Sequence, residues 1–205
     1  ATERWTGTIL VSFAVLPTRG MGIWKGCYRG LELGWKSPAR GPVHPKFVNL
    51  QDRGGLGWLT GFDEMIVRCG LDSNGAPTTD VVPNNMGIPS EVDLTLHGRI
   101  ANLPAHHVEV QVLPGDPPTI AIVGIVDEAA LFYPGFRLST SITTAAGGNA
   151  ITIADTVTNL KATEAEFELL YHCNFGPPFL EEGARLEVAA REVAPRDARA
   201  AEGLR

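Results

Sequence analysis

Two histidines, His97 and His172, are the side chains of this 205-residue sequence best suited to proton chemistry. Imidazole titrates near neutral pH, so it can give or take a proton with little tuning by its surroundings. His172 closes the apolar run Leu169-Leu170-Tyr171-His172-Cys173, immediately before the break Asn174-Phe175-Gly176-Pro177-Pro178. A residue at the exit of a strand lies where loops gather and sites form. His97 lies in Thr95-Leu96-His97-Gly98-Arg99. The glycine lets another group approach closely, and the arginine offers a fork of donors suited to hydroxyl or anionic groups. Each histidine also has a plain reading as a hydrogen-bonded core or cap residue, and position alone leaves both readings open. His106 and His107 are adjacent, so on a strand they point to opposite faces and read as structural or surface residues.

Other chemistries lack their signatures. There is no GxSxG elbow, P-loop, HExxH or GxGxxG opening a helix. No CxxC and no Cys/His cluster has zinc-ligand spacing, so no metal is expected. The net charge of −6, with 17 Lys and Arg in no run, argues against a nucleic-acid partner. No apolar segment is long enough to span a membrane. Cys27, Cys69 and Cys173 are odd in number and far apart, which fits reduced thiols in a cytoplasmic protein.

The elements that must position the histidines are strands. Period-2 alternation marks Thr8–Val15, Met65–Cys69, His107–Leu113, Thr119–Val126, Phe136–Thr144, Ala150–Val157, Glu166–Cys173 and Arg185–Val193. Leu113–Pro117, Ala146–Asn149 and Thr158–Lys161 read as tight strand-to-strand turns. A short helix is expected after Pro195. The expected fold is all-β: an antiparallel β-sandwich in one domain over 1–205. Its Gly/Pro-rich stretch at about 34–89 is expected to form an ordered loop region through Trp35, Phe47, Trp58 and Phe62, giving one wall of a cleft.

These segments carry a family resemblance. His97-Gly98-Arg99-Ile100-Ala101-Asn102-Leu103-Pro104 resembles the His-Gly-x-x-x-Asn-x-Pro signature of aldose 1-epimerase and hexose-phosphate epimerase relatives. Leu170-Tyr171-His172-Cys173-Asn174-Phe175-Gly176 resembles the strand end that bears those enzymes' catalytic histidine. The Gly-rich segment, with Trp58, Phe62 and Cys69-Gly70-Leu71, is similar to an uncharacterised bacterial branch of the group, as is Pro17-Thr18-Arg19-Gly20-Met21. The resemblance implies a galactose-mutarotase-like sandwich with a pyranose on a concave face and no cofactor. It implies His172 as the catalytic acid that protonates the ring oxygen. His97, Arg99, Asn102, Trp58, Phe62 and Asn174 would bind the sugar, with Trp58 or Phe62 at the rim.

The family's base is a glutamate on a late strand well beyond the histidine, and no residue here corresponds to it. Glu181 and Glu182 follow His172 too closely and read as solvated turn carboxylates. The expectation is therefore a sandwich lacking its last strands, whose uncovered edge could pair in a homodimer. An aldose 1-epimerase-like isomerase is the leading reading. A non-catalytic carbohydrate-binding module, or another sugar isomerase or lyase using the same cleft, stands beside it.

Overall fold

The computed structural model describes residues 10–204. Among the described residues, eleven strands form three antiparallel sheets. The first contains β1 (Val11–Leu16), β2 (Gly22–Tyr28), β4 (Ile66–Leu71) and β11 (Glu168–Cys173) in that order, with β3 (Leu31–Leu33) beside β2. The second is a meander of β7 (His107–Leu113), β8 (Thr119–Ala129), β9 (Gly135–Ala145) and β10 (Thr152–Asn159). A separate hairpin joins β5 (Thr78–Pro83) to β6 (Pro89–Leu94). Helical segments among the described residues are of three or four residues, including one at Ala198–Ala201 in the tail expected to be helical. None is long and apolar enough to cross a membrane.

The two larger sheets pack face to face. Met21, Leu71 and Ile100 meet Val126, Phe136 and Leu138 of the meander in one core cluster. Ile23 and Met65 meet Ile142 in another. Burying such branched and aromatic side chains is what drives the sheets together, at roughly 25 cal/mol per Å² of apolar surface.

Most expected strands form, with three departures. Thr158–Lys161 is no hairpin: β10 pairs with β9 and β11 with β4, so this link carries the chain from one sheet to the other. Arg185–Val193 alternates like a strand but lies in no sheet, because no described strand edge runs beside it. The first expected strand begins at Val11, and Thr8 and Ile9 lie outside the described residues. The 34–89 stretch holds two strands and the short helical turns at Pro45–Phe47, Asp52–Gly55 and Gly57–Thr60.

Candidate functional site

Strand β4 is the axis of the site. Its residues alternate in direction, so Val67 and Cys69 share one face and Arg68 takes the other. Both Val67 and Cys69 are fully buried against Trp58 and Ala101. In the β4–β11 ladder His172 lies opposite Val67, which sets its imidazole on the Trp58 face.

His97 reaches the same face from the other edge of β4. Its backbone is left-handed, with φ +59°, and Gly98 follows at φ +68°. The His97 carbonyl accepts from the Gly70 N–H at 3.1 Å, and the Arg99 N–H donates to the Gly70 carbonyl at 3.1 Å. A Cβ on Gly98 would lie 2.2 Å from the Ser73 carbonyl oxygen and 2.6 Å from that of Gly70. On Gly70 it would lie 2.1 Å from the Glu168 carbonyl oxygen of β11. The glycine after His97 thus admits the protein's own main chain, and Gly70 lets the His97 turn and β11 close on β4 from either side.

The result is a pair of imidazoles with ring centroids 5.7 Å apart. Trp58 lies 4.9 Å from His97 and 6.2 Å from His172, and Phe62 lies 5.0 Å from His172 and 4.5 Å from Trp58. Trp58 is not at the rim: it is fully buried and floors the pair, whereas Phe62 is half-buried beside it. Asn74 Oδ1 lies 3.1 Å from His97 Nδ1 and fixes that ring. Burial first, and the nearby His172 second, hold the His97 pKa below the usual histidine value. The shift favours the neutral ring, whose Nδ1 faces the Asn74 oxygen and whose Nε2 is left for a ligand.

The other expected binding residues make contacts elsewhere. Arg99 Nε donates to Glu128 Oε1 at 3.3 Å, and Arg99 lines a cavity of about 800 Å³ with Asp72, Ser73 and Tyr133. Asn102 Oδ1 accepts from Arg19 Nη1 at 3.1 Å. Asn174 Nδ2 donates to the carbonyl oxygens of Glu64 at 3.0 Å and His172 at 3.2 Å, bracing the end of β11. A second cavity, about 780 Å³, is lined by Trp24, Trp35, Lys36, Arg40 and Asp63. Its Trp35 ring lies 4.8 Å from Phe62, but neither histidine lines it.

Residue-type reasoning assigns no part to three supporting residues. Arg19 Nε donates to Glu64 Oε1 at 2.5 Å, both side chains being buried. The Glu64 carbonyl also accepts from Trp35 Nε1 at 3.0 Å, so Glu64 ties the aromatic wall, the β11 exit and Arg19 together. Arg19 stands in the Pro17–Met21 segment, and Asn74 in a Ser-Asn-Gly turn; only the turn signal was readable for the latter. Cys69, beneath the site, is inert as a nucleophile: burial and then Glu64 push its thiol up to about 12. Among the described residues, no carboxylate forms a hydrogen bond or ion pair with His97 or His172. No group of three His, Cys, Asp or Glu among the described residues is placed to hold a metal.

A family described as a domain of unknown function, DUF4432, matches residues 6–205. The chain belongs to this family. No curated protein matches it. Among solved structures, a proposed aldose 1-epimerase from Klebsiella pneumoniae subsp. pneumoniae MGH 78578 is similar at 38% identity and TM-score 0.75. The match covers 84% of this DUF4432 chain and 43% of that protein, so the chain spans less than half of its relative's length. The aldose 1-epimerase-like resemblance and the all-β sandwich both stand on that match.

Proposed function

We infer that this DUF4432 chain carries the histidine side of a pyranose site of the aldose 1-epimerase type. The observation behind the reading is the His97–His172 pair, 5.7 Å apart over the Trp58–Phe62 surface. Aromatic carbon suits the apolar face of a sugar ring, and paired imidazoles reach its oxygens. In this reading a carboxylate takes the proton from the anomeric hydroxyl while His172 gives one to the ring oxygen. The ring C–O bond breaks, the open aldehyde turns about its C1–C2 bond, and closure on the other face yields the other anomer. His97, kept neutral, binds a sugar oxygen in both the ground and transition states. Asn102 and Asn174 support the reading as braces of the site's loops. The similarity to a proposed aldose 1-epimerase supports the same class.

The second reading, a carbohydrate-binding module without turnover, is favoured by one observation: no described carboxylate engages either imidazole. Saturation-transfer NMR on a panel of aldoses, acidic sugars and sugar phosphates separates the two. Under the enzymatic reading, one sugar anomerises faster than in buffer. His172→Gln then slows it by about 10²–10⁴-fold with little change in KM, the expected loss for a general acid. His97→Ala raises KM instead. Binding without acceleration selects the module, and full activity in His172→Gln removes His172 from the chemistry.

A further inference from the structure

The sandwich leaves one strip of its core face bare. β7 ends the meander, and among the described residues it pairs only with β8. Its Val110 lies opposite Ile122 of β8, which lies opposite Ile142 of β9. Directly opposed residues share a face, so Val108, Val110 and Val112 point to the side on which Ile142 is fully buried. Yet these valines are 43%, 67% and 71% exposed. Among the described residues, no strand of the first sheet covers them.

A second segment shows the complementary deficit. Arg185–Val193 alternates Leu186, Val188 and Ala190 with Glu187, Ala189 and Arg191, the pattern of a half-buried strand. Leu186 is 91% exposed and Val188 64%. The segment's one backbone hydrogen bond outside regular elements is local, from the Ala190 N–H to the Val188 carbonyl.

We propose that Arg185–Val193 pairs as an added antiparallel strand with β7 of a second copy, and that the second copy returns the same strand. Leu186 opposite Val112 and Val188 opposite Val110 places Leu186, Val188 and Ala190 on the bare core face. This register sets Glu187 against Gln111, whereas a shift by two residues would set it against Glu109, a like-charge pair. Reciprocal exchange covers both free edges and closes the assembly at two, as an isologous interface does. There is surface enough for it. The chain exposes 13647 Å². A compact protein of 21.9 kDa exposes roughly 9,300 Å², so about 4,000 Å² per chain is in excess, against the roughly 800 Å² per partner of a standard stable interface.

Sedimentation equilibrium of the 205-residue chain tests this, with a concentration-dependent dimer as the expected result. Val188→Pro removes a backbone donor from an exposed segment and leaves the sandwich untouched. It should give a monomer whose far-ultraviolet circular dichroism keeps the sandwich's β signal, less the small part from the added strand. Val110→Lys should do the same from the acceptor edge. In a Cys173→Ser background, Val112→Cys mixed with Leu186→Cys should form an intermolecular disulfide under mild oxidation. A chain that is monomeric at every concentration overturns the proposal. So does a dimer indifferent to Val188→Pro, an open-ended polymer, or a disulfide that forms within one doubly substituted chain at high dilution.

Discussion

Val67 and Arg68 are neighbours in β4, and the two faces they occupy are built on opposite principles. On the Arg68 side, polar groups are matched one to one inside the sandwich. Arg68 Nε and Nη2 grip Asp155 at 2.5 and 2.9 Å, Nη2 also meets Thr140 Oγ1 at 2.8 Å, and Nη1 donates to the Met21 carbonyl at 2.9 Å. Tyr171 of β11 donates to the same aspartate at 2.7 Å. On the Val67 side, aromatic rings lie against two imidazoles, and among the described residues Asn74 supplies the one side-chain hydrogen bond to either ring. The first face fixes how β4 lies across the meander. The second is left chemically available. A strand gripped on one side can present lightly tied imidazoles on the other without losing its place.

The sharpest way to break this contrast is to cut the Arg68 side. Arg68→Met leaves Asp155 as a buried, uncompensated charge and should cost about 3–5 kcal/mol in a urea unfolding experiment. Adding Asp155→Leu should recover most of that loss, because the stranded charge goes too. Acid probes the same contact. Burial opposes ionisation of Asp155, but the hydrogen bond and charge of Arg68, then Thr140 and Tyr171, hold its pKa below the usual aspartate value. A carboxylate lowered in the fold stabilises fully above its unfolded pKa, and that contribution is lost as pH falls through the folded value. The wild type should therefore lose stability in this acid window, and Asp155→Asn should flatten that part of the profile.

A smaller loss is expected at the joint between the faces. Gly98→Ala forces a side chain into left-handed backbone and against the Gly70 and Ser73 carbonyls. The conformational part alone costs about 1–2 kcal/mol. The His97 imidazole resonances should shift in this variant while the Arg68–Asp155 contact persists. An unaltered His97 spectrum would mean that the turn does not hold the ring.

The mildest effect lies on the histidine side itself. NMR titration should find His97 with a pKa below the ordinary histidine value, and His172→Gln should raise it only in part, since burial is the larger cause. Because the fold lowers this pKa, the contribution of neutral His97 to stability is whole above the unfolded pKa and lost as pH falls through the folded one.

The meander was legible because its information is local: Pro114-Gly115-Asp116 and Gly147-Gly148-Asn149 sit between runs of clean alternation. β2 was not, because Gly22 and Gly26 interrupt its pattern, and β5 and β6 carry too many polar residues to announce a strand. The opposite failure occurred at Arg185–Val193, where the pattern is present but a strand also needs a neighbouring edge. At the site, chemical type and strand-end position singled out the two histidines. That they share a site came from the resemblance, since nothing local connects residues 75 positions apart (172 minus 97). Arg99 illustrates the limit of residue type. Its donors suit a sugar, but a buried glutamate in β8 takes the Nε–H, and that carboxylate is visible only in three dimensions.

Gly70 carries a consequence for how such a site can diversify. The His97 turn and β11 meet β4 through carbonyls and amides at a residue with no side chain. The spacing of the two segments that carry the imidazoles is thus written into the peptide backbone, and Asn74 and the aromatic wall have only to orient the rings. Substitutions along the aromatic wall or the neighbouring cavities can reshape what the pair meets while its spacing stays constant. A lineage could then exchange one ligand for another by changing the lining alone, with the two-histidine core passed on as a fixed part.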